Sequence, residues 1–176
     1  MPASSPGPLP CALAGPTADG RLASIQSDLE RSNPAGLHEP PGYHHVTVVQ
    51  AGPTAYLAGQ CPIDADGSLV GPGDLDAQVD TVVRNALIAL AAVEAAPERV
   101  VRSVICVASN ETSVLGQVWQ RLRASSLAPA FTSAATLIGV SALGSTGQLV
   151  EIDLTATLPN GNDPRATRRR ASAPAT

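Results

Sequence analysis

Two spacings of apolar residues alternate along the middle of this chain. Short β-branched runs read as strands at His45 to Ala51, Thr54 to Ala58 and Val101 to Ser109. Two more lie in the stretch from Ala134 to Leu158, where AATLIGVSAL and LVEIDLTATL are separated by GSTGQ; that turn-forming joint predicts a hairpin. A second hairpin is expected across Gly52 and Pro53. Between these runs the spacing becomes helical. Leu75, Val79, Val82, Ala86, Leu90 and Val93 share one face of a helix over 74–95, with Asp74 suited to its N-cap and Pro97 closing it. After Asn110, a candidate cap, Val114, Leu115, Val118, Trp119 and Leu122 predict a second helix.

The order β, β, α, β, α, β, β is an α+β pattern, in which two helices cover one face of a single mixed sheet. Such a sheet leaves its other face to be explained. In the last strand Val150, Ile152, Leu154 and Ala156 point one way, while Glu151, Asp153, Thr155 and Thr157 point the other. The acidic side must meet water, a partner subunit or a ligand, so association between copies is the natural expectation.

The ends have a different character. Residues 1–41 carry eight prolines with much Gly, Ser and Ala and are expected to be largely disordered, although Leu22, Ile25 and Leu29 have helical spacing within Ala18 to Arg31. Residues 160–176 read as a loose tail. The folded domain is expected over 42–159.

Composition narrows the chemistry. With 176 residues, 44% apolar and only 2% aromatic, the core is to be built from Val, Leu, Ile and Ala. Every basic residue is an arginine, so a Schiff-base lysine is excluded. A formal charge of −4 argues against a general nucleic-acid binder, since neutralising phosphates takes a basic surface. Cys11, Cys61 and Cys106 are an odd number at wide spacing with no signal peptide before them, which points to a reduced, cytoplasmic protein. No run approaches the roughly 20 apolar residues of a membrane span, so no membrane association is expected. No set of His, Cys and carboxylate residues has metal-binding spacing, and neither a metal nor a cofactor is expected.

Several short pieces, weak singly, resemble the Rid (YjgF) family of imine and enamine deaminases when taken in order. They are Gly42 and Tyr43 before the first strand; Ala58, Gly59, Gln60 and Pro62 after the second; Gln78 and Asn85 in the first helix; Val101 to Val107; and Leu149 to Asp153. The resemblance runs from about Gly42 to Leu158. It implies a chorismate-mutase-like homotrimer with ligand clefts between subunits, where the open sheet faces meet. It also implies an imine deaminase-like hydrolase acting on a small molecule, or a related lyase or isomerase, suited to specialised biosynthesis.

One family feature is missing. Active deaminases of the family hold the substrate carboxylate with an arginine near the start of the penultimate strand, a task suited to a planar guanidinium. One register places Ala135 at that position and another places Phe131 there; neither supplies an arginine, although Arg102 or Arg84 can bring charge from elsewhere. Gly116 stands where the family usually has an asparagine. The departures imply a larger, less polar cleft for a neutral or aromatic, non-carboxylate substrate, or a trimer that binds a metabolite without catalysis.

Within the resemblance, Glu151 matches the family's proton-handling acid, and a partly buried carboxylate is suited to acid and base work; an interfacial hydrogen bond without chemistry is its plainer role. Tyr43 matches a pocket tyrosine able to orient substrate or relay a proton. Of His44 and His45, which point to opposite faces in a strand, His45 is the candidate ligand contact. Gly59 and Gln60 are expected to shape the cleft wall, with Gly59 allowing close backbone approach. Cys61 beside them is a small pocket residue, or a nucleophile if a base activates it. Trp119 and, by register, Phe131 and Ala135 complete the candidate lining. Asp153 has the parity of Glu151 but reads as a solvated or subunit-contact residue.

Overall fold

The computed structural model describes residues 28–50 and 52–158. Eight regular elements follow one another: strand β1 (Leu29–Ser32), β2 (Val46–Val49), β3 (Thr54–Tyr56), helix α1 (Leu75–Ala92), β4 (Val100–Val107), α2 (Thr112–Arg123), β5 (Ala134–Gly139) and β6 (Val150–Thr157). Short 3-10 turns precede β4 and β5. The four-stranded sheet has the order β3-β6-β4-β5 and is mixed: β4 pairs parallel with β5 and antiparallel with β6. β1 and β2 form a separate antiparallel ladder.

This is the expected α+β architecture. The alternation read in β6 is the alternation observed, with Val150, Ile152, Leu154 and Ala156 fully buried beneath the helices. They join Val100, Ile105 and Val107 of β4, Val79, Val82, Ala86 and Leu90 of α1, and Val118 and Leu122 of α2 in one core. Burial of aliphatic side chains at about 25 cal/mol per Å² of apolar surface is the main force holding the helices to the sheet.

Strand pairing departs from expectation twice. β5 and β6 do not form a hairpin; they flank β4. α2 crosses from the end of β4 back to its beginning, so β5 must run parallel to β4, as crossover connections require. The loop over 140–149 then passes the end of β4 and returns the chain antiparallel on its other side. Nor do the strands on either side of Gly52 and Pro53 pair with each other. β2 pairs with β1, and β3 pairs with β6.

β1 lies inside the stretch whose composition reads as loose, and part of the helical spacing over Ala18 to Arg31 is here a strand. Few but specific contacts hold it. Leu29 is buried, Asp28 takes a two-pronged bond from Arg99 at 2.7 and 2.6 Å, and Arg31 donates to Ser133 Oγ at 2.8 Å and to the Glu98 carbonyl at 2.8 Å. The hydrogen-bonded guanidinium of Arg99 holds the Asp28 carboxyl below its ordinary range. Residues 1–27 and 159–176, including the rest of that helical spacing and the tail, lie outside the described residues.

α1 starts as read, with the Asp74 carboxylate accepting from the Ala77 N–H at 3.0 Å. It ends before Pro97, where Glu94 takes a left-handed conformation and its N–H bonds the Ala91 carbonyl. Glu111, rather than Asn110, occupies the N-cap position of α2. No helix among the described residues is long and apolar enough to cross a membrane.

Candidate functional site

The sheet face turned away from the helices is set by register. Across it run three rows: Glu151, Cys106 and Ile138; then Asp153, Val104 and Thr136; then Tyr56, Thr155, Arg102 and Ala134. Tyr56 is 82% exposed and Ile138 is exposed too, an unusual display of apolar surface for a sheet face left bare, with the exposed Arg102 beside them.

Glu151 is the most constrained group on that face. Its Oε2 accepts from Gln148 Nε2 at 2.9 Å and from the Cys61 thiol at 3.3 Å. Its Oε1 lies against Gly59, so closely that a Cβ built there falls 2.0 Å from it. Glycine at 59 is therefore a steric requirement of the carboxylate's position. The two donors are fixed from behind by α1. Gln78 Nε2 donates to the Gly147 carbonyl and its Oε1 accepts from the Leu149 N–H, holding the turn that carries Gln148. Asn85 Nδ2 donates to the carbonyls of Cys61 and Ile63, holding the loop that carries the thiol. The spacing of Gln78 and Asn85, two helical turns apart, puts both on the same side of α1.

Burial, and then the hydrogen bond and charge of Glu151, push the Cys61 thiol above its ordinary range. Cys106 is raised as well, by burial and then by the charges of Glu151 and Asp153. These neighbours favour the S–H form, in which Cys61 donates a hydrogen bond to Glu151.

A second site forms elsewhere. Pro41, Tyr43, Trp119, Ala135 and Leu137 line a cleft of about 220 Å³ between α2 and the edge strand β5. Rings meet edge to face through it: His38 with His45 at 4.9 Å, His45 with Tyr43 at 5.7 Å, Tyr43 with Trp119 at 6.3 Å, and Trp119 with Phe131 at 5.9 Å. The Tyr43 hydroxyl is 3.3 Å from His38 Nε2, and His45 Nε2 is 2.9 Å from the His38 carbonyl. Arg123 lies over the Trp119 ring at 5.9 Å and donates to the Pro41 carbonyl at 3.1 Å. Its guanidinium fills the space a side chain would take at Gly42, whose φ of +101° already favours glycine.

The structure brings some of the sequence candidates together and separates others. Glu151, Gly59 and Cys61 share one site; Gln60 belongs to the same loop but turns its amide back onto the Ala58 carbonyl. Tyr43, Trp119 and Ala135 share the cleft, with His45 packed behind Tyr43. Phe131 is a correction: it is fully buried against Trp119 and is a core residue, not a ligand contact of this chain. His44 bonds the Thr132 carbonyl. The two proposed catalytic residues are not neighbours. Ala135 and Leu137 are in register with Ser103 and Ile105 on the helix side, whereas Glu151 is in register with Cys106 on the open side. Of the possible replacement arginines, Arg84 lies along outer grooves of α1 and Arg102 on the open face, neither in the cleft. Among the described residues, no three His, Cys, Asp or Glu gather as a metal site.

Sequence reading missed Gln148, the closest donor to Glu151, because it sits in a turn-forming pentapeptide whose composition signals only a change of direction. Pro41, Leu137 and His38 were missed too, since each reads locally as loop or core.

The geometry has counterparts in known proteins. A family model described as Endoribonuclease L-PSP matches residues 37–158. A solved protein of unknown function from Yersinia pestis, YyfB, described as of the conserved Rid protein family, is 31% identical; the match covers 75% of this chain and all of that one, with a TM-score of 0.66. The chain belongs to the Rid (YjgF) family. A second Yersinia pestis Rid-family protein of unknown function, YyfA, is 26% identical over 68% of this Rid chain and 90% of its own, with a TM-score of 0.53. The yeast protein YEO7 shares the fold at 22% identity and a TM-score of 0.52, over 73% of this chain and 98% of its own. No curated protein matches this Rid chain.

Proposed function

We propose that this Rid protein is an acid/base enzyme, in which the Glu151 site of one protomer faces the aromatic cleft of the next within a homotrimer. Parity supports the second half of that reading. Each chain carries one carboxylate site and one cleft on opposite faces of its sheet, so a single cavity containing both needs two copies. The open face, with Tyr56 and Ile138 exposed and Val104 half-buried between the strands, is the surface available for that contact.

The observation that carries the function is the carboxylate with one oxygen doubly anchored and the other seated on a glycine. Such a group can take a proton from water or from a carbon acid and return it to a leaving nitrogen. Hydrolysis of an imine or enamine suits it, as do hydration, tautomerisation and ring closure. Ala135 offers no charge to a substrate carboxylate, and Arg123 is engaged by Pro41 and Trp119. The substrate class is therefore small, uncharged and flat enough to lie among Tyr43, Trp119 and Leu137. The chemistry fits specialised biosynthesis in the cytoplasm. RNA cleavage is disfavoured by the net charge of −4.

Glu151→Gln tests the reading. Turnover on a panel of neutral imines and enamines is expected to fall about 10²- to 10⁴-fold with the assembly state unchanged by light scattering. Survival of turnover would end the acid/base assignment. The lack of a cation at Ala135 favours one other reading, a metabolite-binding trimer, which would bind members of the same panel and turn over none.

A further inference from the structure

Among the described residues, hydrogen bonds reach only one oxygen of Glu151. Gln148 and Cys61 both address Oε2, and among the described residues no hydrogen bond reaches Oε1, which lies on Gly59. Gln148 is 3% exposed and has no freedom to leave. Its Oε1 accepts from the Ser145 N–H at 3.0 Å, and its amide nitrogen is also 3.3 Å from the Val150 carbonyl and 3.2 Å from the Cys61 sulfur. Cys61 is equally tethered, because Asn85 holds its carbonyl at 2.9 Å.

We propose that Gln148 and Cys61 are positioning residues that lock Oε2 and so make Oε1 the single atom of Glu151 that exchanges a proton with substrate. The inference rests on the acid/base reading of Glu151 and names how that site is built. The thiol acts here as a weak donor to a carboxylate, in keeping with its raised titration, rather than as an attacking group. Locking one oxygen fixes the carboxylate plane, so the free lone pairs of Oε1 point in one direction. A carboxylate free to rotate would present either oxygen in many directions and lose the alignment on which proton transfer depends. The lever is long: α1 sets Gln78 and Asn85, these set the turn and the loop, and those set the two donors.

Two measurements on the full chain test this. The first needs no substrate: the rate at which iodoacetamide labels Cys61 between pH 7 and 10, followed on the Cys61 peptide by mass spectrometry. The groups facing the thiol are Glu151 on β6 and Gln148 in the preceding turn, with Cys106 on β4 beside Glu151. Glu151→Gln removes the charge that suppresses the thiolate, so labelling at pH 8 is expected to rise on the order of threefold or more, while Gln148→Leu is expected to slow it. An unchanged rate in Glu151→Gln would show that the contact does not form in solution and would overturn the proposal.

The second measurement separates positioning from packing. Cys61→Ser keeps a donor and Cys61→Ala does not, at nearly equal volume. The serine variant is expected to retain kcat several-fold above the alanine variant with KM shared, and Gln148→Leu to lose kcat rather than KM. Equal kcat in the two Cys61 variants would overturn it. Loss of the acid/base reading looks different, since turnover would then survive Glu151→Gln whatever the labelling shows.

Discussion

The carboxylate site and the aromatic cleft are held by different forces. Oε2 of Glu151 is held by directed hydrogen bonds whose donors are traced back to α1 through Gln78 and Asn85. In the cleft, rings meet edge to face and a guanidinium caps one of them. Directed bonds to a charged group fail abruptly when an atom moves, whereas ring contacts tolerate small displacements. On the proposed function, precision belongs to the end that handles protons and adaptability to the end that accepts the substrate body. The separation also lets Ala135 and Glu151 vary independently, since the two lie on opposite faces of the sheet.

The separation can be broken most forcefully by complementation. Glu151→Gln and Trp119→Ala should each be inactive alone, because each removes one half of every cavity. Refolded together at equal amounts, they should regain about a quarter of wild-type turnover, the share of cavities in a random trimer that pair an intact carboxylate with an intact cleft. No recovery in correctly assembled mixed trimers would place both halves in one chain and dissolve the comparison.

A smaller effect sharpens it. Gly59→Ala inserts a methyl group that would meet Oε1 at 2.0 Å and the carboxyl carbon at 2.8 Å, so the side chain must swing and give up both donors. Turnover is expected to fall by about 10²-fold, the cost of a displacement near 1 Å at a reacting group, with Tm almost unchanged. Trp119→Phe in the cleft should instead act on KM. If both variants moved KM alone, the carboxylate would be a binding group and not a proton carrier.

How far the sequence discloses these two regions follows from the range of the forces involved. Alternation along β6 is local, so the face presented by Glu151 was legible from eight residues, and the helical face of α1 likewise from its spacing. Pairing is not local. Nothing in residues 134–158 reports that β4 sits between the two runs, and the turn-forming GSTGQ misled because a loop over a strand end uses the same residues as a hairpin turn. β1 was hidden for a related reason: it buries one residue, Leu29, and relies on Arg99 and Arg31, whose partners are distant in the chain. The Glu151 site was half legible. Glu151, Gly59 and Cys61 stand in recognisable motifs, but the turn that carries Gln148 is held by Gln78, which accepts from the Leu149 N–H 71 residues away.

The smallest expected effect concerns the strand that divides the two regions. Ser103 on β4 is fully buried, in register with Leu154 on one side and Ala135 on the other, and among the described residues its hydroxyl has no hydrogen-bond partner. A buried hydroxyl left unpaired costs about 1 to 3 kcal/mol, and removing one oxygen leaves a void too small to offset that. Ser103→Ala should therefore stabilise the chain by about 1 kcal/mol, read as a higher urea midpoint at unchanged slope. A loss of stability instead would mean that the hydroxyl finds its partner when copies assemble. Ser103 would then belong to the wall of the cleft behind Ala135, and the aromatic region would have a polar floor in place of an apolar one.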